Sequence, residues 1–292
     1  MPERIDSHHH FWRPARGDYG WLRPDLPALA PLVRDVLPAE FEPLLTQHRV
    51  AQTVLVQAAP TEAETDFLLG LAQQHRLIAG VVGWVDLARV DSVKTLTRWA
   101  ADPRLKGVRP MLQDLADTHW IAHAPPPAVV HTMIDLGLRV DALVVPQHLA
   151  PLLRFVDRWP GLPVVIDHAA KPQLAAGWNA PWTTLWRLGL AELAQRPNVY
   201  CKFSGLLTEC APVARRQAVA MLRPVWDTVL RWFGPQRLMW GSDWPVLTLA
   251  AGYGDWVLAC ETLACELSPE QRTAFWFGNA ARFYGLAETA AT

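Results

Sequence analysis

Apolar positions along this chain fall into short dense runs that stop on a polar residue, and stretches with helical spacing separate them. Eight such runs are read, at 4–8, 53–59, 77–86, 105–111, 139–145, 163–168, 199–206 and 237–244. Their length and their Val, Ile and Leu content predict buried strands. Between them, 61–75, 91–101, 147–159, 182–196 and 214–233 repeat apolar residues every three to four positions, which predicts helices. Thr61 followed by Glu64 forms a capping-box pattern, and Asp91 is placed to cap the next helix. Alternation of this kind means parallel βαβ units, and eight strands are the number of an α/β, distorted (β/α)8 TIM barrel; an open doubly wound sheet is the alternative. No Gly-x-Gly-x-x-Gly follows a strand, so no nucleotide cofactor is expected. Pro- and Gly-containing patches at 23–38, 121–128 and 172–181 read as loops or barrel insertions, which leaves 1–292 as one domain.

The polar residues cluster at the C-terminal ends of these runs. Gln57, Asp86, Arg109, His168, Ser204 and Asp243 end strands, and His148 lies just past the fifth. In a barrel those ends surround the active-site mouth, whereas the opposite ends are structural; Gln57 and Asp86 also read as caps for the helices that follow. The first run continues into Asp6-Ser7-His8-His9-His10-Phe11-Trp12. Strand alternation puts Asp6, His8 and His10 on one face and Ser7 and His9 on the other. Two imidazoles facing a late carboxylate, Asp243, suit either binding of a divalent metal or activation of a water. His8, His10, His168 and Asp243 are the candidate ligands of one ion.

Composition narrows the partners. The 292 residues are 51% hydrophobic, enough for a large core, and the net charge of −1 with no Lys/Arg cluster argues against nucleic acid or an anionic membrane. No apolar run approaches 18 residues, so no membrane span is expected. The cysteines Cys201, Cys210, Cys260 and Cys265 form no Cys-x-x-Cys pair and read as core thiols in a reducing cytoplasm.

Asp6-Ser7-His8-x-His10-Phe11-Trp12, Lys106-Gly107-Val108-Arg109, Ile166-Asp167-His168-Ala169-Ala170-Lys171-Pro172, Cys201-Lys202-Phe203-Ser204-Gly205-Leu206 and Gly241-Ser242-Asp243-Trp244-Pro245 together resemble the amidohydrolase-related family of sugar-lactone hydrolases. The resemblance runs from residue 4 to about residue 285. It departs at position 9, where that motif usually has Gln. The resemblance implies a barrel that opens a lactone ring with water, in the manner of L-fuconolactonase, L-rhamnono-lactonase or pyrone-dicarboxylate lactonase. On the residues, Asp243 takes a proton from water and later returns it to the ring alkoxide, serving as general base and then acid. Arg109 or protonated imidazoles of His8, His10 and His168 stabilise the oxyanion. The resemblance also implies that a single Zn²⁺ or Mn²⁺ is not strictly required. A two-metal site is disfavoured, since the bridging lysine of related barrels is replaced by Arg109.

Fifteen residues are Trp, and aromatic faces stack on sugar rings. Trp21, Trp84 and Trp244 are the candidate substrate contacts, with Gln57; Lys202 reaches substrate or a buried carboxylate. The strand ends offer chiefly Arg109 rather than two or three converging arginines, which favours a neutral aldonolactone over a dicarboxylate. The small-molecule lactone is the expected partner of a monomer or homodimer. Lactone isomerisation, metal-dependent decarboxylation and a non-catalytic binding barrel are the alternatives.

Overall fold

The computed structural model describes residues 3–211 and 217–287. Eight strands, β1 Arg4–His9, β2 Val50–Val56, β3 Ile78–Gly83, β4 Leu105–Val108, β5 Arg139–Ala142, β6 Val164–Ile166, β7 Val199–Phe203 and β8 Leu238–Trp240, pair in sequence order, all in parallel. The residues after β8 close the ring onto β1: Asp243 N–H donates to the His8 carbonyl at 2.7 Å and His10 N–H to the Trp244 carbonyl at 2.8 Å. The barrel is the expected one, and the open sheet is excluded.

The expected strands are longer than the ladders. Residues 57–59, 84–86, 109–111, 143–145 and 204–206 leave the sheet. These tails, read as strand, are loops that carry much of the cavity wall, with Ala58, Arg109, Met111 and Leu143 on it.

Helices Glu62–Gln74, Ser92–Trp99, Leu149–Arg158, Trp182–Ala194 and Ala218–Phe233 follow the helical spacing; the start of the last expected helix falls on residues 212–216, outside those described. Helices Pro38–Gln47, Pro127–Asp135 and Tyr253–Ala264 were not expected. The first two begin with Pro at the first turn, where its missing N–H costs nothing, and Pro43 inside the first masks its pattern. The Thr61 hydroxyl does accept from Glu64 N–H at 3.1 Å. The Glu64 carboxylate, however, accepts from Ala58 and Ala59 N–H instead of closing the box. Asp91 does not cap: it is helical itself and pairs with Lys94 at 3.2 Å.

The outer core packs helices on the barrel, and Asn279–Tyr284 lies across its N-terminal end, where Tyr284 joins Ile5, Val54, Val82 and Met239. Of the cysteines, Cys201 and Cys260 are buried as expected; Cys210 is half-buried and Cys265 is exposed. Among the described residues no helix is long and apolar enough to cross a membrane.

Candidate active site

β1 carries a bulge. Asp6 pairs with Thr53 and His9 with Leu55, so three steps on β1 match two on β2. The extra residue breaks the alternation. Asp6 therefore turns away from the His8 ring, accepting from His8 N–H at 3.2 Å, from Ser242 N–H at 2.8 Å and from the Tyr253 hydroxyl at 3.0 Å on the outer helix. Its expected place on the His8 face is not found. His8 and His10 do enter the barrel, and His9 points out, buried between Phe11 and Phe41 with neither ring nitrogen hydrogen-bonded.

Asp243 lies at the centre of the mouth. Its Oδ1 is 3.3 Å from His10 Nε2, 3.7 Å from His8 Nε2 and 3.9 Å from His168 Nε2. The second nitrogen of each ring is fixed. His10 Nδ1 donates to the Val56 carbonyl at 2.8 Å, which turns its Nε2 towards Asp243. His168 Nδ1 shares a hydrogen bond with the Ser204 hydroxyl at 2.9 Å. His8 Nδ1 lies 3.0 Å from Lys202 Nζ and 3.3 Å from Asp167. Asp243 holds its position at a φ of +61°, a left-handed conformation that costs an L-residue roughly 1–2 kcal/mol; such strain concentrates where chemistry needs a side chain re-aimed.

Beneath the histidines runs an ionic network that the sequence does not disclose. Lys202, fully buried, binds Asp141 and lies 3.1 Å from Asp167; the Tyr284 hydroxyl donates to Asp141 at 2.8 Å. Lys202 thus reaches a buried carboxylate and not the cavity. Arg109 lies 3.6 Å from Asp167 and 3.4 Å from His8 Nε2, and donates to the Gln57 carbonyl. Gln57, itself fully buried, returns a bond to the Arg109 carbonyl at 2.8 Å. It braces Arg109, which removes it from the substrate contacts.

Electrostatics follow from burial. Burial pushes the Asp243 carboxyl up, but His168, His10 and Lys171 outweigh it and hold it below the usual range, so it is ionised at neutral pH. Burial drives His168 down to about 4, and burial with Lys202 drives His8 well below 6.5. Both rings are neutral at pH 7. The expected protonated imidazoles at His8 and His168 are therefore corrected to neutral ones, since neither can keep a charge without solvent and beside Lys202 or Arg109.

The cavity above Asp243 has a volume of about 290 Å³ and is lined by His10, Arg109, His168, Trp21, Lys171 and Glu209 among others. A larger cleft of about 800 Å³ shares Trp21 with it and adds Trp84 and Trp120. Trp21 is held by its indole N–H on the Ala58 carbonyl at 2.7 Å. Trp244 is not at the mouth: it stacks on Phe41 with centroids 4.4 Å apart, turned outward because Asp243 is turned in. Asp86 lies on the outer cleft, and His148 is buried, accepting from Val145 N–H at 3.2 Å.

One ligand atom each from His8, His10 and Asp243 lies within 4.8 Å of the others, and the same holds for His8, Asp167 and His168. Imidazole Nε2 atoms turned to a carboxylate, with Nδ1 tied to a carbonyl in His10, a hydroxyl in His168 and Lys202 and Asp167 in His8, are the kind of donor set a divalent ion needs. The residues fit a single ion. The lysine needed to bridge two ions is absent at Arg109.

The family model described as Amidohydrolase matches residues 5–286. An L-fucono-1,5-lactonase from Burkholderia ambifaria is 43% identical over 98% of this chain and 97% of its own length. A second L-fucono-1,5-lactonase, from Burkholderia multivorans, is 40% identical, again over 98% of this chain and 97% of its own length. A crystal structure of an amidohydrolase from Burkholderia multivorans with bound zinc superposes with a TM-score of 0.89 at 37% identity, covering 98% of this chain and 100% of that one.

Proposed function

The chain belongs to the amidohydrolase family, and on that basis we propose that it is a lactonase, one barrel domain that opens a sugar (aldono-) lactone ring with water. The observation that carries the reading is an ionised Asp243 placed within 3.3–3.9 Å of three imidazoles at the floor of a sugar-sized cavity. Full-length identity to two L-fucono-1,5-lactonases supports a lactone of that kind and disfavours the isomerase, decarboxylase and non-catalytic alternatives.

Asp243 Oδ1 accepts a proton from a water as that water attacks the lactone carbonyl. His10, whose Nδ1 is tied to the Val56 carbonyl and whose Nε2 lies 3.3 Å from Asp243 Oδ1, orients the same water. The guanidinium of Arg109 lines the cavity beside Asp243 and stabilises the oxyanion, a role worth roughly 3–4 kcal/mol per preorganised donor. His8 and His168 act as neutral neighbours that keep Asp243 in place. Collapse expels the ring alkoxide, which regains the proton from Asp243. Trp21, whose ring borders both cavities, and Trp84 in the adjoining cleft serve as faces for the sugar ring.

A divalent ion held by His8, His10, His168 and Asp243 would supply Lewis acidity and lower the pKa of a water. The zinc-bound relative supports Zn²⁺. Lys202 and Arg109, 3.0 and 3.4 Å from the two nitrogens of His8, already place positive charge there, which supports turnover without the ion. Four free cysteines support a reducing, cytoplasmic setting. A pH-indicator assay over a panel of neutral aldonolactones and carboxylated lactones tests the reading: acid release from neutral aldonolactones is expected, and preference for carboxylated ones, or no release at all, would overturn it.

A further inference from the structure

Lys171 adds charge near Asp243 but takes no step in the reaction above, although the chain goes to unusual lengths to place it. His168, Ala169, Ala170 and Lys171 all adopt left-handed φ, at 53°, 49°, 59° and 47°. Non-glycine residues rarely do this even singly. The run is held from both sides: Lys171 N–H donates to the His168 carbonyl at 2.9 Å, and the buried Trp186 indole donates to the Ala169 carbonyl at 2.6 Å. A three-residue turn eclipses positions i and i+3. His168 and Lys171, which bracket it, therefore both line the cavity.

Lys171 Nζ donates to Gln113 Oε1 at 3.1 Å and lies 3.4 Å from Glu209 Oε1. All three side chains line the cavity wall, and the lysine and glutamate remain partly open, at 26% and 19% exposure. Two of the three ammonium donors are used, and the carboxylate keeps spare lone pairs. The wall thus offers a donor and an acceptor side by side with no net charge. A carboxylated ligand would meet Glu209 as well as Lys171. A hydroxyl both donates and accepts, so two adjacent hydroxyls satisfy the pair in full: one accepts from Lys171 and its neighbour donates to Glu209.

We infer that Lys171, Glu209 and Gln113 read adjacent ring hydroxyls and so restrict the enzyme to polyhydroxylated lactones. The inference rests on the lactonase reading and names its substrate class. These residues set specificity and take no part in the proton transfers at Asp243.

The test compares a hydroxylated aldono-1,5-lactone with δ-valerolactone, the same ring without hydroxyls, in the wild type and in Lys171→Met, Lys171→Arg and Glu209→Gln. Lys171→Met and Glu209→Gln are expected to lower kcat/KM on the hydroxylated lactone by about 10–100-fold, the loss of a charge-assisted hydrogen bond, chiefly through KM. Glu209→Gln should leave δ-valerolactone within about threefold, a change too small to reflect a lost hydrogen bond; Lys171→Met should lower kcat/KM on the hydroxylated lactone at least about tenfold more than on δ-valerolactone, and Lys171→Arg should recover part of that excess. Equal losses on both lactones, or none on either, would overturn the inference while leaving the lactonase standing. A wild type that opens no lactone would overturn the underlying reading, and this one with it.

Discussion

Gly205 is the point at which a single methyl group tests how tightly the proposed catalytic groups are packed. It follows β7 at a φ of +62°, and a Cβ there would lie 2.5 Å from His168 Nδ1 and 2.8 Å from Asp243 Oδ2. Ordinary contact is about 3.5 Å, so in Gly205→Ala the imidazole must retreat by about 1 Å, breaking its 2.9 Å bond to Ser204. A misplacement of that size costs on the order of 10²-fold in rate. The left-handed backbone adds roughly 1–2 kcal/mol of destabilisation. Gly137→Ala separates the two effects, because Gly137 has a similar φ of +64° and its Cβ would meet nothing closer than 4.0 Å. Steady-state lactone hydrolysis and calorimetric melting should show both variants less stable and only Gly205→Ala slowed about 10²-fold. Equal kcat/KM in the two variants would refute the argument that His168 and Asp243 are held by this close approach.

Three further outcomes follow from the same geometry. His10→Ala, which removes a group that orients the water, and His8→Ala, which lets Asp243 shift, should each lower kcat by about 10²-fold, whereas His9→Leu should keep kcat and match or exceed wild-type stability, since it replaces a buried ring with two unpaired nitrogens; a kcat loss at His9 as large as at its neighbours would contradict its outward placement. Dialysis against a chelator, followed by metal analysis, should remove any bound ion and lower kcat less than about tenfold; abolished activity restored by Zn²⁺ would make the ion the source of the nucleophile. His168 sits at about 4 in the folded chain against 6.5 when free, so its contribution to stability is whole above pH 6.5 and is lost as pH falls towards 4, amounting to about 3 kcal/mol. Denaturant unfolding of the wild type and of His168→Asn across that window should diverge accordingly, and parallel curves would contradict it.

What the sequence made legible was periodic or local. Eight apolar runs ending on polar residues were enough for the barrel; His8, Arg109, His168 and Asp243 were legible because they close runs, and His10 because alternation puts it on the face of His8. The errors lie where a local departure redirects a side chain. The bulge between Asp6 and His9 sends Asp6 outward, and the left-handed Asp243 turns Trp244 into the outer core. Neither leaves a mark in the pattern of apolar residues. The Lys202–Asp141–Asp167–Tyr284 network joins residues up to 143 positions apart, and a buried charge on a strand reads the same whether its partner is a substrate or another strand. Gln57 was open to both readings, and its bond to Arg109 selects the structural one. Glu64, which burial pushes up to about 8 while it accepts from Ala58 and Ala59, was legible only as a helix cap.

Asp243→Asn tests the central claim most directly. The amide keeps the shape and a hydrogen-bonding oxygen but cannot take a proton from water, and general-base catalysis contributes roughly 10²–10⁴-fold. With lactone opening followed by pH indicator and folding checked by circular dichroism, the account predicts a folded variant whose kcat is lower by about 10³-fold. A folded Asp243→Asn enzyme that opens the lactone at near wild-type rate would contradict it.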